Sequence, residues 1–126
     1  MAKTVQQMLE AANAAVPKVD VAEARRLVEK ENALLVDLRD SAEIAKTGKL
    51  KGAATVSRGM LEFRADRESK YHDPAFDPSR PVVVYCASGG RAALAGQTLS
   101  EMGFPKVYNL GGFQPAADAG METEGA

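Results

Sequence analysis

Pro81-Val82-Val83-Val84-Tyr85-Cys86-Ala87-Ser88-Gly89-Gly90-Arg91-Ala92-Ala93-Leu94 is the stretch on which the reading of this chain turns. Val82 to Tyr85 is a continuous apolar run, as expected of a strand buried on both faces. It leads into Cys86, the only cysteine in the sequence. A short loop bearing two glycines follows, and then an alanine-rich helical segment. The order strand, loop, helix puts a thiol at the carboxyl end of a strand and beside a helix N-terminus. Amides of a first helical turn lack partners in the chain before them. The helix dipole favours negative charge at the same place. A thiolate, the nucleophilic form of cysteine, is therefore favoured there. Gly89 and Gly90 allow a tight turn with inward-facing amides. Arg91 adds a permanent positive charge.

Working outward, strands and helices alternate. Ala33 to Val36 is a second short apolar run, and Ala54 to Val56 and Lys106 to Leu110 are further strand candidates. Lys18-Val19 is a candidate short strand at the start of the domain. Thr4 can cap a helix whose Val5, Met8, Leu9 and Ala12 share a face, ended by Pro17. Asp20 and Glu23 have the spacing of a capping box for a helix over 21–30. Helices are also expected over 41–47, 60–65, 89–102 and 112–119, with Gly48 and Gly103 as stops. Residues 66–81 are polar, carry three prolines, and read as an irregular connection. The pattern predicts an α/β domain with a mainly parallel sheet. Ligands in such sheets bind outside the carboxyl ends of the strands. Both Asp37 and Cys86 fall at such ends.

The chain has 126 residues, 45% hydrophobic and 26% charged, which fits one globular domain with an adequate core. A net charge of −1 provides no electrostatic footprint for nucleic acid. One cysteine excludes an intrachain disulfide, and the usual Cys/His metal spacings are absent, so neither a metal nor another cofactor is expected. No apolar run is long enough for a membrane span, and the first residues lack the apolar core of a signal peptide. A cytoplasmic location is the resulting expectation.

Loop length narrows the chemistry. Arg91 is the fifth residue after Cys86, so the loop reads Cys-x4-Arg. Cysteine phosphatases use Cys-x5-Arg, and here the sixth position is Ala92. The shorter loop suits one extra sulfur atom better than a tetrahedral phosphate. The segment Tyr85 to Arg91 resembles the active loop of the rhodanese family of sulfurtransferases. Leu34-Leu-Val-Asp37-Leu38-Arg39, Gly48-Lys-Leu-Lys-Gly52-Ala53, Arg58-Gly59-Met60-Leu61-Glu62-Phe63 and Asn109-Leu-Gly-Gly-Phe113 are similar to further family motifs in the family's order. Two positions depart from it. Lys49 stands where the family usually has histidine, and no tryptophan follows Gly-Gly-Phe. The second departure is expected to loosen packing of the last helix.

The resemblance implies a three-layer domain over residues 18–120 with a five-stranded, mainly parallel sheet flanked by helices. Residues 1–17 form an N-terminal helical extension and 121–126 a frayed tail. The extension is expected to pack on the domain or, alternatively, to mediate a homodimer. The resemblance also implies catalysis by Cys86 through a persulfide, with Ala87, Ser88, Gly89, Gly90 and Arg91 holding the substrate. Arg58 joins that set by its place in the family's order, with a surface role as the alternative. Ser88 has a second role open to it, capping the following helix. Arg91 either holds an anion or pairs with a nearby carboxylate. Asp37 and Arg39 read as structural, with Glu43 as a candidate partner for Arg39. His72 reads as a loop residue. The expected partners are a sulfane-sulfur donor such as thiosulfate and a thiol or cyanide acceptor. Two alternatives remain open at this point: a sulfur-carrying or sensing module with little turnover, and a phosphatase or arsenate reductase on the same fold.

Overall fold

Along the chain the elements are α1 (Val5–Ala15), α2 (Val21–Glu31), β1 (Leu34–Asp37), α3 (Ser41–Thr47), β2 (Lys49–Leu50) and β3 (Ala54–Thr55). A 3-10 turn (Arg58–Met60) then runs into α4 (Leu61–Ala65), followed by β4 (Val82–Cys86), α5 (Gly90–Glu101), β5 (Val107–Gly112), α6 (Phe113–Asp118) and β6 (Thr123–Glu124). The computed structural model describes residues 2–126. The two apolar runs lie side by side as β1 and β4, parallel, with Leu34 opposite Val82 and Asp37 opposite Tyr85. Every residue of both strands is buried, which is why neither alternates with polar side chains. β3 flanks β1 and β5 flanks β4, so the sheet order is β3-β1-β4-β5.

The sheet has four strands where the sequence predicts five. The missing one, at Lys18-Val19, is reduced to a single bridge between Lys18 and Asn109. Pro17 before it has no N–H to donate, and Asp20 after it already caps α2, so no length remains for a strand. Asp20 accepts from the Glu23 N–H at 2.9 Å, but Glu23 turns its carboxylate to Arg26 instead of closing the capping box.

Strand alternation divides the core into two layers. Leu34, Val36, Val82, Val84 and Cys86 pack with Leu61 of α4 and Leu99 of α5. Leu35, Val83 and Tyr85 pack on the other face with Leu27 of α2 and Phe113 of α6. Each fully buried Leu, Val or Phe contributes about 1.5–3 kcal/mol. α1 packs across α5, with Ala12 and Val16 buried at the crossing. A Cβ on Gly96 would sit 2.9 Å from a Val16 methyl, so glycine is what lets the two helices approach.

The end of the chain is a correction to the sequence reading. Thr123–Glu124 is paired rather than frayed, antiparallel to Lys49–Leu50. Lys49 Nζ donates to the Ala53 carbonyl at 2.7 Å and pairs with Glu124 at 2.8 Å. The residue that departs from the family's histidine therefore braces the same turn and also holds the tail.

Candidate active site around Cys86

β4 delivers Cys86 to the carboxyl edge of the sheet, and the chain must turn sharply to begin α5. Gly89 makes that turn with φ 99°, in the left-handed region that favours glycine. Its N–H comes back onto the sulfur, donating to Cys86 Sγ at 3.0 Å. The backbone bond from Ala93 N–H to Gly89 O, 2.9 Å, opens α5. The amides of Gly90, Arg91 and Ala92 lie ahead of it, without acceptors in the helix. Cys86 is 1% exposed, while Ala87 and Ser88 above it face solvent. Ser88 does not cap α5, because the capping position falls on Gly89, which has no side chain to offer.

Crevices open on both sides of the loop. One, of about 310 Å³, is lined by Ser88, Gly89 and Gly90 and faces Asn13 and Lys18. The other, of about 250 Å³, lies beside Ala87 and is lined by Glu43, Lys46 and Gln114.

The loop rests on the end of β5. A side chain at Gly112 would collide with the Ala87 carbonyl, and a Cβ at Gly89 would lie 3.3 Å from Gly111 Cα. The glycine pair is thus a spacer that lets two backbones touch. Asn109, buried, ties them together: its Nδ2 donates to Gly89 O at 3.2 Å, and its Oδ1 accepts from Gly111 N–H at 2.8 Å. The strand register shifts here, Val84 facing Asn109 and Tyr85 facing Gly111, so Leu110 is an extra residue. Sequence reasoning did not single out Asn109 as a site residue. Its one visible signal is an asparagine beside a glycine pair at a strand end.

The arginines divide clearly. Arg39 and Asp37 form a buried pair, Arg39 Nη2 lying 2.8 Å from Asp37 Oδ2. Arg39 also donates to Thr47 Oγ1 at 2.9 Å and to Gly48 O at 2.8 Å, and its guanidinium stacks 4.3 Å from the Phe113 ring centroid. Tyr85 sits against the same pair and accepts the Leu50 N–H at 3.0 Å. Burial, reinforced by the Asp37 carboxylate, pushes its phenol above the ordinary range. Arg39 does not pair with Glu43 as the sequence suggests, because Asp37 meets it inside the fold.

Glu43 goes to Arg91. Arg91 Nη1 and Nη2 donate to its two oxygens at 2.9 and 2.8 Å, a bidentate grip between α3 and the Cys86 loop. The Arg91 bonds, with the Asp40 N–H, hold the Glu43 carboxyl down to about 2. The structure shows Arg91 paired with a carboxylate, one of the two roles open to it. Arg58 donates to Glu62 at 2.9 Å and to Thr98 at 3.3 Å. Thr98 lies eight residues along α5 from Gly90, about 12 Å from the loop at helical rise. Arg58 is therefore not brought to the loop with the others. His72 stays in the connection before β4, its N–H bonded to Ser69.

Comparisons with known proteins agree with this geometry. The model of the rhodanese-like domain matches residues 20–117. A sulfurtransferase of Allochromatium vinosum is 35% identical over 89 residues, covering 71% of this chain and 75% of that protein. A tRNA uridine(34) hydroxylase of Chlamydia caviae is 42% identical over 89 residues, covering 66% of this chain but only 25% of its own length. Among solved structures, a Rhodopseudomonas palustris protein of unknown function, described as a possible tyrosine phosphatase, superimposes with TM-score 0.88 at 36% identity, covering 98% of this chain and 96% of that one. The homodimeric polysulfide-sulfur transferase of Wolinella succinogenes does so with TM-score 0.74 at 34% identity, covering 94% and 85%. A match that opens at the cap of α2, closes within α6 and takes in the whole four-stranded sheet makes this chain a member of the rhodanese-like domain family.

Proposed function

We propose that the chain is a sulfurtransferase working through a persulfide on Cys86. The observation that carries the reading is the Gly89 N–H pointing onto Cys86 Sγ at 3.0 Å, beneath a loop followed by unpaired helix amides. Cys86 thiolate attacks the outer sulfur of a sulfane donor such as thiosulfate. The donor's S–S bond breaks and its electron pair leaves with the remainder. The loop amides from Ala87 to Arg91 hold the anionic outer sulfur of the persulfide by the electrostatics of an oxyanion hole. A thiol acceptor or cyanide then takes that sulfur and Cys86 thiolate returns, a ping-pong cycle. With one cysteine in the chain, the acceptor comes from outside. A homodimer like that of the Wolinella protein belongs to the same proposal.

The description of the Rhodopseudomonas neighbour favours a phosphatase as second reading. The Cys-x4-Arg loop counts against it, being one residue shorter than the phosphate-cradling loop. Steady-state turnover separates the readings. Sulfur transfer from thiosulfate or a persulfide to cyanide is expected, abolished in Cys86→Ser, with no hydrolysis of an aryl phosphate. Hydrolysis of the phosphate without sulfur transfer would reverse the assignment. Loading of sulfur with negligible transfer would favour a carrier.

A further inference from the structure

The crevice beside Ser88, Gly89 and Gly90 owes its far wall to residues outside the loop. Leu9 and Asn13, one helical turn apart on α1, line it, and so does Lys18 in the link from α1 to α2. A Cβ on Gly90 would lie 4.0 Å from a Leu9 methyl, so Leu9 stands directly against the start of α5. β5 fixes Lys18 relative to the loop. The Asn109 N–H donates to Pro17 O at 2.9 Å, and Asn109 O accepts the Val19 N–H at 3.0 Å. The side chain of the same Asn109 donates to Gly89 O. One residue of β5 thus holds both the Cys86 loop and the backbone that presents Lys18. The match to the family model opens at residue 20, so this wall lies ahead of the matched domain.

The lining has a chemical pattern. Lys18 is exposed, and the ion pairs of the described residues do not include it. No carboxylate lines this crevice, whereas Lys46, across the loop, shares its crevice with Glu43. Leu9, Val19 and Leu110, all half-buried, supply an apolar surface near the lysine. One cation beside an apolar wall matches an organic molecule with one carboxylate, its carbon chain on the wall and its anion at the lysine. A volume of about 310 Å³ keeps that molecule small. An inorganic dianion such as thiosulfate would leave the wall bare. Building on the persulfide reading above, we infer that this crevice is the acceptor subsite and that Lys18 is a specificity-determining residue selecting small organic thiols that bear a carboxylate. The acceptor enters as its thiolate, its proton having gone to solvent. The thiolate attacks the outer sulfur of the Cys86 persulfide and a new S–S bond forms. The Cys86 S–S bond breaks, its electron pair passes to Cys86 Sγ, and the acceptor departs as a hydropersulfide with no oxidant consumed.

The test is the second-order rate at which Cys86, preloaded with sulfur and freed of excess donor, loses it to a thiol, followed by time-resolved intact mass. The acceptors are mercaptopropionate and its uncharged amide, which differ at the carboxylate. Rates are compared per thiolate present, and each variant is read as a ratio to wild type, so the intrinsic reactivity of each thiol cancels. Wild type should unload faster to mercaptopropionate. Lys18→Gln should slow that reaction about tenfold, the scale of one charge-assisted contact, and change the amide reaction by less than about twofold. Lys18→Arg keeps the charge and should keep the preference. Lys46→Gln removes a cation from the other side of the loop and should leave the preference in place. A Lys18→Gln effect that is absent or equal for both acceptors, or one that Lys46→Gln reproduces, overturns the Lys18 assignment while leaving sulfur transfer standing. A wild-type protein that takes up no sulfur, or surrenders it to neither thiol nor cyanide, overturns the sulfurtransferase reading and this inference with it.

Discussion

Two arginine–carboxylate pairs stand beside the Cys86 loop, and burial separates their roles. The side chains of Arg39 and Asp37 are 3% and 0% exposed, whereas those of Arg91 and Glu43 are 36% and 35% exposed. The first pair is surrounded by further bonds to Thr47 and Gly48 and by the Phe113 ring. Its charges are almost wholly withdrawn from water, so removing either leaves the other stranded. The second pair has water as an alternative partner. It contributes little to stability, and it ties α3 to the Cys86 loop. Two chemically similar contacts therefore act as a buried strut in one place and a solvated tie at the rim in the other.

The largest effect expected is at the strut. Asp37→Ala should lower stability by about 3–5 kcal/mol in urea unfolding, because it leaves the Arg39 guanidinium buried and unpaired. A loss below 1 kcal/mol would mean that Arg39 reaches solvent and that the two pairs do not differ in kind. Gly112→Ala comes next. The added methyl meets the Ala87 carbonyl, so overpacking of about 1–3 kcal/mol is expected. Sulfur loading should fall more than stability does, since the displaced backbone is the one that follows Cys86. Equal stability and equal loading would show that the loop is not held by its contact with β5.

At the rim the expected change is smaller. Glu43→Ala should cost no more than about 1 kcal/mol in the same unfolding experiment. Its pH dependence has a definite sign. Arg91 holds the folded Glu43 carboxyl at about 2, below an ordinary value of about 4.3. Its stabilisation is therefore present above that ordinary value and is lost as pH falls toward 2. Thermal melts of wild type and Glu43→Gln should converge over that interval, and a gap that stays constant would contradict the pairing. Smallest of all is the tail: Lys49→Ala should cost about 0.2–1 kcal/mol, as for a pair partly open to water. It should also raise hydrogen exchange at Lys51 and Gly52, whose N–H groups donate to the Glu122 carbonyl at 2.9 Å and to the Glu124 carboxylate at 3.0 Å. Unchanged exchange would separate Lys49 from the tail.

The strand, loop and helix around Cys86 were legible because their signals are local: an apolar run, two glycines and a helical spacing. The partners of the arginines were not. Arg39 and Arg91 compete for Asp37 and Glu43, and only the fold decides which carboxylate each one meets. Spacing along the helix suggested Arg39 with Glu43, and burial at the end of β1 overruled it. Asn109 escaped notice as a site residue because the bulge that aims it exists only between strands. The tail escaped because it is held by Glu122 and Glu124 against Lys51 and Lys49, a strand with no apolar pattern to read. The loss of the family's tryptophan did not leave α6 unanchored, since Phe113 and Ala116 are both buried.

The most direct test of the account is the mass of the intact protein after treatment with a sulfane donor. The expected result is a gain of one sulfur atom on wild type, removed by dithiothreitol and absent from a folded Cys86→Ser variant. A folded wild-type protein that gains no sulfur from thiosulfate or from a hydropersulfide would contradict it.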